Sequence, residues 1–404
     1  MYLQIRKRCC ELISCGGPAV ALTLFMTLAA ASPALAQTVT VLCSFGEAGS
    51  CPDGAIPAGN IVRDAEGNIY GTTDYGGRSG NGVVYRLSPS GVEQVLHDFS
   101  GSIDGGTRPV GLTADNAGNL YGATTDGGSY SMGTVFKITP AGVYSVLHNF
   151  GATAADGTYP VAVPILDAAG NLYGTTEYGG SGGYGTIYKL TPAGQLTILH
   201  TFGFNRVDGN QPNSSLTLDS EGNLYGVTPY GGSTYGGTLF EVTASGSYSI
   251  LYNFEYNGNG ASITPFFPFS NLTFDASGNL YGASQGGGAT HNGTVYKASR
   301  GTDGTWTVQA LFGFSSSLGY FPTSGVVFDQ KGNMYGANYY GGTGYDGAVF
   351  EATADHEIIP LVGFDSTDGN GPNGNLLLDS QGNLLGVAQY GGTGNAGVVY
   401  QITP

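Results

Sequence analysis

Positive charge is scarce in this chain: 13 lysines and arginines stand against 29 aspartates and glutamates in 404 residues. So acidic a surface repels nucleic acid and anionic lipid, and leaves neutral or cationic ligands open. Long apolar runs are equally scarce. After the one spanning residues 18–31 no second appears, so the chain beyond it is expected to be soluble, without a membrane span. Long stretches of 3.6-residue apolar period are missing too, which excludes helical repeats. Glycine is abundant instead, 71 residues beside 18 prolines, and the two types together stay below the content at which aperiodic Gly and Pro argue for disorder. The glycines recur at fixed intervals, and periodic glycine marks turns that recur in space. Hydrophobic content of 41 % is enough for a packed core.

Arg6, Lys7 and Arg8 precede the apolar run, and Ala34-Leu35-Ala36 follows it as a small-residue site. This is the pattern of a secretory signal peptide over residues 1–36, cut before Gln37. Cleavage takes three of the 13 basic residues and Glu11 of the 29 acidic ones, leaving 10 against 28 and a formal net charge of −18. Cys9, Cys10 and Cys15 leave with it, and none of them stands at its end, where a lipid anchor would be attached. Only Cys43 and Cys51 remain. In an exported protein two nearby cysteines are a candidate disulfide, which spacing alone does not decide.

The segment Gly-Asn-(Leu/Ile/Met)-(Tyr/Leu)-Gly begins at Gly67, Gly118, Gly170, Gly222, Gly278, Gly332 and Gly382, at spacings of 51, 52, 52, 56, 54 and 50 residues. A period near fifty, with short β-branched and aromatic runs between turn residues, points to a four-stranded propeller blade. In the fourth unit the strands read "SLTLD", ending at Asp219, then "NLYGVT", "GTLFEVT" and "YSILYNF". Between the first and second lies Asp-x-x-Gly-Asn, with its aspartate at Asp64, Asp115, Asp167, Asp219, Asp275, Asp329 and Asp379. This is a tight hairpin whose carboxylate accepts turn N–H groups and whose glycine takes the positive-φ position. Seven such carboxylates invite a metal ring; structural turn capping is the preferred reading.

The fourth strand carries Leu-x-x-Phe as Leu96/Phe99, Leu147/Phe150, Leu199/Phe202, Leu251/Phe254, Leu311/Phe314 and Leu361/Phe364, and the last unit stops after "VVYQITP" without one. The missing copy is "VTVLCSF", which supplies Leu42 and Phe45 at the other end of the chain. The expected fold is therefore all-β, with residues 37–404 forming a seven-bladed β-propeller of four-stranded blades, closed by the N-terminal strand completing the last blade. Leu and Phe three apart are expected on opposite faces of a strand covered on both sides.

The strings "GNLYGTT", "GG" four residues before "GT(V/I)(F/Y)K(L/I)TP", "VLHNF" and "DG…P" resemble, over residues 38 to 404, the GloVer tandem-repeat family of exported bacterial proteins. Its members are also called choice-of-anchor proteins, for their differing C-terminal surface anchors. The resemblance implies export and brings no catalytic residues, because the family has no established biochemical role. This sequence ends in the repeat itself, so release into the periplasm or the medium is expected rather than surface attachment.

Loops joining strands two and three should emerge on the side of the blade-to-blade connections, and the Asp-x-x-Gly-Asn and "TPAG" turns on the other. On the first side Tyr75, Tyr178, Tyr230, Tyr340 and Tyr390 share one position before a Gly-Gly pair, replaced by Asp126 and Gly286 in units two and five. Asp53, Asp104, Asp156, Asp208 and Asp368 precede glycine on the same side. Tyrosines with nearby carboxylates suit stacking on sugar rings and hydrogen bonding to their hydroxyls; tyrosines covering neighbouring loops and Asp-Gly turns are the plainer account, which repetition in every unit favours. A single-ligand site should break the symmetry. It breaks between units four and five, where Phe254 to Pro268 spans 14 positions against 10 for Phe99 to Pro109, Phe150 to Pro160 and Phe202 to Pro212, bringing Tyr256, Phe266 and Phe267 near the loops of Tyr235 and His291. These are the candidate ligand-binding residues.

Other signals are weak. His97, His148 and His200 share a strand-four position that other units fill with Cys43, Tyr252, Phe312 and Val362, the mark of a packing position. His291 and His356 have no spacing that suggests a metal-ligand set. Gly179-Gly180-Ser181-Gly182-Gly183 fits G-x-S-x-G in a glycine-rich loop rather than a strand-to-helix elbow. One tryptophan, Trp306, is too few for the repeated docking of quinoprotein propellers, and sialidase boxes are absent. The expectation is a secreted or periplasmic, monomeric, non-enzymatic binding or interaction module without a cofactor, bound calcium left open, for polysaccharide or another envelope component such as an envelope protein. A glycan-acting hydrolase or lyase using acidic loop residues and an architectural surface or matrix protein are the alternatives. Two carboxylates converging in a cleft would favour the enzyme, a flat symmetric face the scaffold, and an aromatic trough at units four and five the binder.

Overall fold

The computed structural model describes residues 37–46, 51, 53–101, 105–203, 207–256, 263–355 and 357–403. The expected signal peptide at residues 1–36, Asp104 and His356 lie outside them. All helix and strand structure among the described residues is β, and no helix there is long and apolar enough to cross a membrane. Each sequence repeat lays down an antiparallel sheet. In unit four, Thr217–Leu218, Leu224–Thr228, Thr238–Val242 and Tyr248–Asn253 pair in chain order. The repeated string has a packing cause. Gly174 of "NLYG" lies opposite Tyr188 of "GTIY", and a Cβ there would fall 2.4 Å from the Tyr188 hydroxyl oxygen. Glycine in strand two makes room for the ring of strand three.

In the last unit, Asn370–Leu378, Leu384–Tyr390 and Val398–Thr403 are completed by Thr38–Ser44, which pairs antiparallel from Thr38↔Thr403 to Ser44↔Val398. Strand four does not follow the simple alternation expected of it. Leu42, Leu96, Leu147, Leu199, Leu251, Leu311 and Leu361 fall at the register shift of a β-bulge against strand three. An extra residue resets the alternation, so Leu and Phe three apart join one cluster instead of facing opposite ways. Leu96 and Phe99 pack together against Leu112, Leu120 and Phe136 of the next unit. Leu147 with Phe150, and Leu199 with Phe202, repeat the arrangement. The core is thus built between sheets, and one cluster sets Leu42, Phe45 and Val399 of the last unit against Ile69, Val83 and Tyr85 of the first.

Backbone bonds latch each unit to the next. The residue before the repeat's proline donates its N–H to the preceding unit's two–three loop: Arg108 to Asn81 at 3.1 Å, Tyr159 to Met132 at 3.0 Å, Gln211 to Tyr184 at 3.0 Å, Phe267 to Gly236 at 2.8 Å, Phe321 to Asn292 at 3.3 Å, Gly371 to Asp346 at 2.8 Å and Ile56 to Ala396 at 2.7 Å. All seven donors hold a left-handed φ, between +55° and +66°. For the six that are not glycine this costs about 1–2 kcal/mol each, which the inter-unit contact must offset. The proline then packs on a glycine of that loop; a Cβ on Gly185, at φ +102°, would lie 2.9 Å from Pro212 Cδ and 2.3 Å from the Thr176 carbonyl oxygen.

Candidate functional site

Antiparallel pairing puts the two–three loops, the starts of strand one and the ends of strand four at one end of every sheet, and the Asp-x-x-Gly-Asn turns and three–four hairpins at the other. The loop end rests on buried hydroxyls. In unit three the Thr176 hydroxyl donates to the Tyr178 carbonyl at 3.0 Å and accepts the Thr186 N–H at 3.1 Å. Thr228 does the same for Tyr230 and Thr238. These bonds fix where the chain leaves the sheet, and there stand Tyr75, Tyr178, Tyr230, Tyr340 and Tyr390, each 39 to 47 % exposed.

Five positions further along the loop, Ser131, Tyr235, His291, Tyr345 and Asn395 hold left-handed φ between +51° and +70°. Tyr235 is 62 % and Tyr345 81 % exposed, and Tyr130 on the second unit's loop is 50 % exposed. Tyr130 and Tyr345 are missing from the sequence candidates, although a tyrosine in "GGSYS" and "GGTGYDG" was signal enough. Among the described residues, every tyrosine, phenylalanine or tryptophan at least 36 % exposed lies at this end. The left-handed residue before proline stands beside the first tyrosine: ring centroids are 6.0 Å apart for Tyr159 and Tyr178, and 5.9 Å for Phe321 and Tyr340. In unit two the same two positions hold an ion pair, Arg108 to Asp126 at 3.4 Å. Burial pushes the neighbouring Asp74 carboxyl up to about 6 against the pull of Arg108, and pushes Glu177 up against its bond from Tyr178.

At units four and five the structure brings Tyr230, Tyr256 and Phe267 together. The Tyr256 ring lies 5.0 Å from Phe267, which lies 5.5 Å from Tyr230. Phe266 is a different case, only 5 % exposed. It pairs with Gly286, where a Cβ would fall 2.0 Å from its ring. The phenylalanine thus covers the strand where other units place their tyrosine, which accounts for the glycine in unit five and removes Phe266 from the ligand-binding candidates. Tyr235 and His291 are exposed on the flanking loops. Those loops are tied to the irregular segment by Phe267 N–H to Gly236 O at 2.8 Å and Gly288 N–H to Ile263 O at 3.1 Å.

At the turn end, Asp167 Oδ1 accepts the N–H groups of Ala169 at 2.9 Å and Asn171 at 2.8 Å, and Oδ2 accepts Asn171 Nδ2 at 2.7 Å and the Tyr173 hydroxyl at 3.0 Å. Asp64, Asp115, Asp219, Asp275, Asp329 and Asp379 bind the matching asparagine N–H in the same way. Desolvation works to raise Asp167, and these hydrogen bonds outweigh it, so the carboxyl sits below its ordinary value. Four donors fill the acceptor positions of the carboxylate and leave it nothing to offer a metal. Among the described residues no three His, Cys, Asp or Glu side chains gather as a metal site.

With both ends described, the relatives can be placed. A family model described as the Gloeobacter/Verrucomicrobia repeat matches residues 57–273 and 263–404. The chain belongs to this family. No curated protein matches its sequence. Two solved structures from B. thetaiotaomicron resemble it at 13 % and 12 % identity with TM-scores of 0.57 and 0.56, one solved as the extracellular domain of a hybrid two-component system and the other as that of a one-component system. The likeness covers 91 % of this chain but only 41 % and 40 % of theirs, and it shows a propeller-like all-β fold alone.

Within the family repeat, strand four has a polar partner that its sequence concealed. His148 Nε2 lies 3.3 Å from Asp156 Oδ2, and His200 Nε2 lies 3.1 Å from Asp208 Oδ2. Asp156 Oδ2 also accepts the Gly151 and Ala152 N–H groups. The aspartates of these Asp-Gly pairs are therefore turned to holding the connection onto strand four, and the histidine position does more than pack. Cys43 and Cys51 are joined by a disulfide inside the cluster between the last and first units.

Proposed function

We propose that this chain is an exported, monomeric, non-enzymatic binding protein: a seven-bladed β-propeller over residues 37–404, closed by Thr38–Ser44, whose loop end docks an extracytoplasmic polysaccharide. Closure is supported by contacts between the first and last units. Arg63 pairs with Asp379 at 2.8 Å, and the Asn375 N–H reaches Asn60 Oδ1 at 3.0 Å. The observation that carries the function is the gathering of exposed tyrosine rings at the loop end, led by Tyr130, Tyr235 and Tyr345 at 50, 62 and 81 % exposure. An aromatic ring with a polar tip, open to solvent, stacks on a sugar face while its hydroxyl and nearby carboxyls bond to sugar hydroxyls.

The test is a glycan array with the mature protein and with a Tyr130→Ala, Tyr235→Ala, Tyr345→Ala triple variant. Binding should be lost in the variant while its melting temperature stays within a degree or two. Undiminished binding by the folded variant would end this reading. A reducing-sugar assay on any bound glycan addresses the hydrolase alternative, for which Asp74, held up to about 6, is the available acid.

A further inference from the structure

Among the turn glycines with described surroundings, the turn end is left uncovered at one junction, again between units four and five. The three–four hairpin of most units lies over the glycine of its own Asp-x-x-Gly-Asn turn. A Cβ added at Gly67, Gly118 or Gly170 would meet Pro89, Pro140 or Pro192 at 3.4 Å, and one at Gly222 would meet Ala244 at 3.5 Å. At Gly278 it would meet nothing within 4 Å. The cause is the longer hairpin of unit five, whose strands continue past Ala298↔Val308 to Ser299↔Thr307 and Arg300↔Trp306. This extension carries the covering residues away and adds the chain's single tryptophan, which has no counterpart in the other units.

The uncovered space is a cleft of about 510 Å³, within the range of small-molecule sites. Its apolar side is Trp306, Phe274 and Tyr225, with the Tyr225 and Trp306 rings 6.2 Å apart. Tyr225 is fixed in place: its hydroxyl reaches Glu241 at 2.8 Å and Asp219 at 3.2 Å. Asp219 and Asp275 line the cleft too, but their oxygens are already filled by turn donors. The polar groups left for a ligand are the Glu221 carboxylate and the Arg300 guanidinium, both exposed and neither hydrogen-bonded through its side chain to a described residue.

We infer that this cleft is a second ligand site, for a neutral sugar residue, at the end of the molecule opposite the tyrosine loops. An acceptor and a donor flanking an aromatic wall match a ring that carries hydroxyls and an apolar face. Anionic sugars meet the charge of Asp219, Glu221 and Asp275; a cationic one meets the charge of Arg300 and finds only Glu221 with oxygens free to accept its hydrogen bonds. The inference does not rest on the loop-end reading, since it uses other residues and another ligand geometry.

The lone tryptophan makes the two sites separable. Trp306 emission is recorded while the mature protein is titrated with neutral hexaoses of glucose, mannose and xylose, with oligogalacturonate and with a chitosan oligomer. A saturable change with at least one neutral oligosaccharide is expected, weakened about tenfold in Arg300→Ala or Glu221→Ala by loss of a charged hydrogen bond. It should persist in the Tyr130/Tyr235/Tyr345 triple variant. Both single changes are at exposed positions and should leave the fold intact, checked by the melting temperature. No saturable change with any neutral probe, a response to the charged oligomers alone, or a response indifferent to Arg300 and Glu221 would each overturn the inference.

Discussion

Asp64 and Asp74 stand at the two ends of unit one, and their carboxyls are displaced in opposite directions. At Asp64 burial is outweighed by bonds from Asn68, Tyr70 and the turn backbone, and the carboxyl is held below its ordinary value. At Asp74 burial is opposed only by the charge of Arg108, and the carboxyl rises to about 6. The same contrast separates Asp167 from Glu177 in unit three. At the turn end the aspartate of each Asp-x-x-Gly-Asn turn is satisfied internally, in unit after unit. The loop end leaves rings exposed, Asp74 and Glu177 raised by burial and backbone in left-handed conformations, while Asp156 and Asp208 there are hydrogen-bonded. The Asp-x-x-Gly-Asn turns thus repeat their side-chain pairing from unit to unit, while the loop end repeats its backbone latch but varies in the side chains it offers a partner; among the described residues the cleft beside Trp306 is where the turn end loses its hairpin cover.

The strongest way to break this contrast is to attack the latch between units. Gly185→Ala places a Cβ at φ +102° against Pro212 and the Thr176 carbonyl. Strain and clash together should destabilise the protein by roughly 2–4 kcal/mol, read from the urea midpoint. Gly183→Ala is the control on the same loop: φ is +80° but nothing lies within 4 Å of the added Cβ, so only the backbone strain of about 1–2 kcal/mol should appear. Equal losses in the two variants would mean that the proline contact does not hold adjacent units together.

Next in size is the turn end. Asp167→Ala strands the Asn171 and Tyr173 side chains and two turn N–H groups, for a loss of about 2 kcal/mol. The same carboxyls set the acid limb. A lowered carboxyl contributes stability that is complete above its unfolded value, near 3.9, and is lost as pH falls through the folded value. The melting temperature should therefore drop steeply below about pH 4, and the Asp167→Ala drop should be shallower by one residue's share. A parallel fall in both proteins would remove the turn carboxyls from the acid response.

Much of this was legible in the sequence because the repeat reports each contact several times. Asp-x-x-Gly-Asn and its tyrosine recur so regularly that turn capping could be read directly, and Leu42 with Phe45 identified the first strand as the partner of the last unit. What the sequence hid was register. A bulge at Leu96 and its counterparts moves Leu and Phe onto one side, and nothing in the spacing distinguishes that from plain alternation. His200 looked like a packing residue because its partner, Asp208, comes back to it only through the connection between units. Phe266 looked exposed because it sits in an irregular loop, yet the glycine opposite makes its position a buried one. The cleft at Trp306 depends on two extra residue pairs in one hairpin, a length difference that composition does not show.

The smallest effect sharpens the comparison most, because Asp74 and the turn aspartates should answer pH with opposite sign. Asp74 has its folded value raised to about 6. The native state holds that proton more tightly than the unfolded chain does, so the contribution is present below the unfolded value near 3.9 and is lost as pH rises through about 6. Asp74→Asn keeps the size of the side chain and removes its titration. Between pH 4 and 6.5 the wild-type melting temperature should fall relative to the variant, and below pH 4 the two curves should run parallel, because the turn carboxyls are untouched. Curves that stay parallel across the whole range would show that Asp74 does not bind its proton in the folded protein, and the loop end would then be as well paired as the turn end.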